Sequence, residues 1–66
     1  MNWHAAIEER IATLDRLIAQ HESNAEHHKG LGQLHRVVDE LALARGYAQG
    51  KQELRRLQSL NTERGA

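Results

Sequence analysis

The chain has no cysteine and no proline, and its aromatic residues are one tryptophan and one tyrosine. Without cysteine, neither a disulfide framework nor a thiolate zinc site can stabilise a chain of 66 residues. Basic and acidic residues are equal in number, nine of each, which argues against a strongly basic nucleic-acid module. No apolar run reaches the roughly 20 residues of a membrane span, and no signal-peptide pattern is present. We therefore expect a cytoplasmic protein that does not enter a membrane.

The residues that are abundant are helix formers, chiefly leucine, alanine, arginine and glutamate. They predict an all-α fold, an antiparallel two-helix hairpin. The first helix is predicted over about residues 2–28, with Asn2 as its N-cap. Its apolar residues are spaced by four, three and four, as in a coiled-coil seam: Ile7, Ile11, Leu14 and Ile18.

Two positions are candidates for the interhelical turn. His27, His28 and Lys29 form a last turn of potential cations, and Gly30 follows them as a left-handed helix stop, which places the turn at about 29–32. Alternatively, the capping-box spacing of Ser23 and Glu26 favours a break near residues 22–25.

The second helix is predicted over about residues 33–62, and its apolar pattern is divided. We predict that four residues of its first half pack against the seam of the first helix: Leu34, Val38, Leu41 and Ala48. Further apolar residues fall on the opposite side: Leu43, Tyr47, Leu54, Leu57 and Leu60. The helix therefore either bends near residues 46–50 or carries two contact faces, of which a lone hairpin uses one.

Small residues lie along one line of the second helix, at Ala42, Gly46 and Gly50. Such spacing permits another backbone to approach closely, although a flexible or kinked stretch would show the same pattern. Trp3 either closes the open end of the hairpin or anchors a partner. A hairpin this small is marginal as a monomer, so we expect association with a second copy or a larger protein. The candidate partner-binding residues are Trp3, Leu43, Gly46, Tyr47, Gly50, Leu54 and Leu57.

Five histidines are present, and His21, His28 and His35 are spaced by seven residues. Histidine is a common metal ligand, but no cysteine and no H-E-x-x-H spacing accompanies these three. We predict no metal site and no cofactor. The adjacent carboxylates, such as Glu8 and Glu9, point about 100° apart on a helix and do not share a catalytic site. The sequence therefore predicts a protein that is not an enzyme and has no small-molecule substrate.

The charge is distributed unevenly along the chain. Residues 1–31 have three basic and five acidic side chains, a net charge of −2, and residues 32–66 have six basic and four acidic ones, a net charge of +2. This difference favours pairing of the two helices. The basic residues of the second half are interrupted by Glu53 and Glu63, which argues against nucleic acid as the principal partner.

Residues 43–57, with the sequence LARGYAQGKQELRRL, contain an Arg-Gly pair followed by a small residue and a Leu-x-x-Leu ending. This segment resembles small helical structural or accessory proteins encoded by bacteriophages and prophages. The resemblance implies a virion-associated role and gives no functional residue. We expect an assembly or adaptor subunit of a larger complex, located in the cytoplasm or the virion. The alternatives are a regulator that inhibits a host protein and a nucleic-acid-binding hairpin.

Overall fold

The protein is a two-helix antiparallel hairpin, as the sequence predicts. A computed structural model describes the backbone of residues 3–65 and the side chains of residues 3–60. Helix α1 spans Trp3–Gly30 and helix α2 spans Leu34–Gly65, and within these residues there is no strand. The predicted N-cap Asn2 lies outside the described residues. The hairpin is long and thin, with principal extents of 52 × 15 × 12 Å.

The turn occupies residues 31–33, and α1 continues without interruption through residues 22–25. The residue with left-handed backbone is Gly32, at φ +72°, and not Gly30 as predicted. The amide of Gln33 donates to the carbonyl of His28 at 3.0 Å, and the amide of Gly32 donates to that of Lys29 at 3.1 Å. This pair of hydrogen bonds is a Schellman motif, which lengthens α1 by two residues beyond the predicted end.

The first half of the predicted seam is correct. Ile7, Ile11 and Leu14 are buried, and Ile18 is half-buried. Ala25, two turns further along the same side of α1, is also buried. The four-and-three spacing of apolar residues on α1 therefore identified the face that packs against α2.

The second half of the predicted seam is wrong for three of its four residues. Leu34, Val38 and Leu41 are 72%, 64% and 46% exposed, whereas Ala48 is half-buried. The face of α2 that packs against α1 is instead spaced by alternate threes and fours: Val37, Glu40, Ala44, Tyr47, Lys51, Leu54 and Gln58. This face includes polar residues that pair with polar residues of α1. A stripe of leucines in their place would leave those polar residues of α1 without hydrogen bonds.

Helix α2 is one helix through Gly46 and Gly50, so these glycines do not join two shorter helices. A Cβ added at Gly50 would lie 3.8 Å from Leu14 Cδ1, while one added at Gly46 would meet nothing within 4 Å. Gly50 therefore lies beside α1, and Gly46 lies on open surface.

Candidate protein-interaction surface

The centre of the hairpin is held by a polar cluster. The Nδ1 of His21 donates a hydrogen bond to Oε2 of Glu40 at 2.5 Å, and both side chains are about four-fifths covered. The ring of Tyr47 stacks on the ring of His21, with centroids 5.6 Å apart and planes 18° from parallel. The hydrogen bond from His21 holds the pKa of Glu40 below its ordinary value, against the opposing effect of desolvation. These contacts fix α2 against α1.

A second polar cluster closes the open end of the hairpin. The side-chain amide of Gln58 donates to Glu8 Oε1 at 2.7 Å, and Arg55 Nη1 approaches the same oxygen at 3.2 Å. The hydrogen bond from Gln58 is the main reason why the pKa of Glu8 is lowered, and Arg55 adds to it. One turn nearer the middle, Lys51 Nζ lies 2.7 Å from Asp15 Oδ1. Two cations of α2 thus pair with carboxylates of α1.

The predicted partner-binding residues of α2 divide into two groups. Tyr47, Gly50 and Leu54 lie on the side of α2 that packs against α1 and are half-buried. Leu43 and Leu57 are 48% and 49% exposed, and Gly46 is open to solvent. We call the outward group, Leu43, Gly46 and Leu57, the glycine flank. Its members lie within about 60° of one another around the helix.

Trp3 keeps 60% of its surface exposed at the open end of the hairpin. At the same end of the hairpin, Leu57 and Leu60 of α2 are themselves exposed. Of the two roles considered for Trp3, closure of the hairpin therefore receives little support, and its indole remains available for a partner.

A second apolar surface lies on α2, formed by residues that the sequence pattern wrongly assigns to the hairpin seam. We call it the loop-end strip: Leu34, Val38 and Leu41, separated by four and three residues. It lies on the side of α2 away from the glycine flank. Between this strip and α1 lies a groove of about 340 Å³. Its lining residues are Glu22, Ala25, Glu26, Lys29, Leu34, Val37 and Leu41. The signal that could have found the strip is the polar register of α2, in which Glu40 and Lys51 are placed to meet His21 and Asp15.

The histidines near the turn make local contacts. The Nδ1 of His28 lies 2.9 Å from Oε1 of Gln33, and the ring of His27 meets that of His28 edge-on at 5.7 Å. Among the side chains of residues 3–60, no group of three histidines and carboxylates is placed to hold a metal ion. Neither helix, over its described length, is sufficiently long and apolar to span a membrane.

The chain matches no protein-family model, and no curated protein or solved structure is significantly similar to it. Helix α2 presents two apolar surfaces, the glycine flank and the loop-end strip, and an apolar helix face of this kind can pack against another helix.

Proposed function

We propose that the protein is a non-enzymatic protein–protein interaction subunit, an assembly or adaptor component of a larger complex. The observation that supports this function most strongly is the distribution of apolar surface. Within the described part of the chain, five residues are buried, and two of them are alanines: Ile7, Ile11, Leu14, Ala25 and Ala44. Eight large apolar residues are 43–72% exposed: Trp3, Leu31, Leu34, Val38, Leu41, Leu43, Leu57 and Leu60.

Exposed apolar residues are informative here because five of the six large ones on α2 lie on two sides of the helix: Leu34, Val38 and Leu41 on one side, and Leu43 and Leu57 on the other. Single exposed leucines are common on proteins, but apolar residues that share one side of a helix favour packing against another helix. The glycine flank combines two leucines with Gly46, where the absence of a side chain lets another backbone approach. We propose that this flank binds the larger partner, with Trp3 as a further contact. The resemblance of residues 43–57 to phage proteins suggests a virion or its precursor as the complex.

Two other functions share the hairpin fold. A regulator that inhibits a host protein would use the same apolar surfaces, so it differs in the identity of the partner. Nucleic-acid binding is less well supported, because Lys51, Arg55 and Arg56 each lie within 4 Å of a carboxylate oxygen. A cation that already has a carboxylate partner contributes less to phosphate binding.

The experiment that tests this proposal compares two glycine variants in cells that express the chain. Gly46→Leu fills the glycine flank, and Gly30→Leu is the matched control, since a Cβ at either position meets nothing within 4 Å. After cross-linking, proteins captured by a tagged wild-type chain are quantified by mass spectrometry. We expect Gly46→Leu to reduce capture of the main partner about tenfold or more, which corresponds to about 1.4 kcal/mol, and Gly30→Leu to retain it.

The identity of the captured protein separates the alternatives. A partner encoded with the chain and present in the same particle supports the assembly role, and a host enzyme or transcription component supports the regulator. Failure of the wild-type chain to capture any protein would contradict both. A shift of RNA or DNA at micromolar protein that disappears with added salt would favour the nucleic-acid function instead.

A further inference from the structure

The loop-end strip is apolar surface that the hairpin leaves uncovered. Leu34, Val38 and Leu41 keep 72%, 64% and 46% of their surfaces exposed. Their spacing of four and three residues is that of a coiled-coil seam, and Arg45, four residues further, continues the line with a cation. Apolar residues in such a line can pack against a second helix that lies along α2.

The total surface of the chain indicates how much partner surface is needed. A folded monomer of 7.5 kDa exposes roughly 4,250 Å² on the size scaling of globular proteins. This chain exposes 5177 Å², about 900 Å² more. A stable protein–protein interface buries about 800 Å² from each partner. One interface of ordinary size would therefore bring the chain to the surface expected of a folded protein.

We propose that the loop-end strip is a self-association surface, and that two copies of the hairpin pack along it into an antiparallel four-helix bundle. This inference rests on the proposed function, since it assumes that the chain acts through protein contacts. A second copy of this chain then occupies the loop-end strip, and the glycine flank stays open to the larger partner.

The arrangement of the two copies follows from their charges. Helix α1 has three basic and five acidic side chains, and α2 has six basic and four acidic ones. Placing α1 on α1 of the second copy would oppose like charges, whereas placing α1 on the second α2 brings net −2 against net +2. A two-fold axis along the length of the bundle gives this pairing, makes every adjacent helix pair antiparallel, and sets the two turns at the same end.

The local charges agree with this arrangement. Glu22 and Glu26 of α1 border the groove beside the loop-end strip, and Arg45 ends the strip on α2. With α1 over the second α2, the Arg45 of one copy approaches Glu22 of the other. Ala25 and Val37 line the same groove, which offers an apolar surface to the strip of the second copy. Because the contact is isologous, each copy supplies both a strip and a groove.

The test of self-association compares two leucines of similar exposure, one on the loop-end strip and one on the glycine flank. Leu41 and Leu43 are 46% and 48% exposed and lie two residues apart, hence about 200° apart around α2. By sedimentation equilibrium at micromolar protein, we expect the wild-type chain near 15 kDa, twice its mass of 7.5 kDa. Leu41→Glu should raise the dimer dissociation constant about tenfold or more, and Leu43→Glu should leave it unchanged.

Circular dichroism shows whether each variant keeps its helices. If Leu41→Glu loses helix content, Val38→Glu takes its place as the strip variant in the sedimentation experiment. Val38 is suitable because it is 64% exposed and does not line the groove. A monomeric wild-type chain, or a dimer that survives a folded strip variant, would overturn the inference. A monomer that still captures a larger partner through the glycine flank would leave the proposed function intact, so the two failures are distinguishable.

The two-fold arrangement has its own measurement. The chain has no cysteine, so Ser59→Cys, which is exposed near the open end, gives a single site for a spin label. With both turns at one end, the two labels should be far closer together than the 52 Å length of the hairpin. If copies joined at the loop-end strip instead lay in opposite directions, the labels would be at the far ends of the dimer. A separation above 52 Å would therefore refute the charge-based arrangement.

Discussion

His21 makes two contacts that help to set the alignment of the two helices. Its ring stacks on the ring of Tyr47, and its Nδ1 donates to Glu40; both partners come from α2. A polar residue in a helix–helix seam has a strong preference for one partner, since a shifted alignment leaves its hydrogen bond unmade. His21 therefore specifies which turn of α2 lies beside which turn of α1.

The carboxylate of Glu40 makes the hairpin sensitive to acid. The pKa of Glu40 is lowered in the folded chain from its ordinary value of 4.5, and the pKa of Glu8 is lowered in the same direction. The unfolded chain consequently binds protons more readily, so this stabilisation is complete above pH 4.5 and is lost as the pH falls through the folded-state pKa. We expect the thermal midpoint, measured by circular dichroism, to fall between pH 7 and pH 3.

Two variants test whether the carboxylate of Glu40 causes this acid sensitivity. Glu40→Gln should lower the midpoint at pH 7 and reduce its further decline in acid. Asp39→Asn removes an adjacent, exposed carboxylate and should change neither. Equal acid sensitivity in the wild-type chain and Glu40→Gln would show that Glu40 does not contribute.

At the scale of the elements, the two glycines at positions 32 and 46 have opposite effects on the hairpin. Gly32 follows the end of α1 with φ +72°, a backbone conformation that residues with a Cβ rarely adopt. Gly46 lies within α2, where its flexibility weakens the helix and its missing side chain leaves open surface. The turn therefore requires its glycine, whereas the helix tolerates one.

The corresponding alanine variants should shift stability in opposite directions. We expect Gly32→Ala to lower the free energy of unfolding by about 1 kcal/mol, because the Cβ strains the left-handed turn. Gly46→Ala should raise it by about 1 kcal/mol, because alanine restricts the unfolded chain and favours helix. Urea denaturation followed by circular dichroism measures both. A loss of stability in Gly46→Ala would mean that α2 needs a bend at that position.

At the scale of the whole molecule, the hairpin is far from compact. Its radius of gyration is 15.3 Å, compared with about 11 Å for a compact domain of 66 residues. A thin hairpin has little interior, which agrees with its short set of buried residues. Contacts with another protein are the available means of covering the rest.

Small-angle X-ray scattering can distinguish the two ways in which hairpins could associate. Side-by-side packing at a helix spacing of about 10 Å should double the forward scattering, while the radius of gyration rises by only about 1 Å. End-to-end association would also double the scattering, but it would nearly double the length of 52 Å. Leu41→Glu, measured at the same concentration, provides the monomer reference.

The sequence by itself determined the two helices, the position of the turn to within two residues, and the buried face of α1. These features depend on local chemistry: helix-forming residues without proline, apolar spacing of three and four, and glycines near one position. The tertiary structure decided which side of α2 faces α1, placing Leu34, Val38 and Leu41 outside and Tyr47 inside. Periodicity cannot decide this, because α2 carries apolar residues on more than one side. The choice depends on polar pairs between residues far apart in sequence, such as His21 with Glu40 and Asp15 with Lys51, which form in only one alignment of the helices.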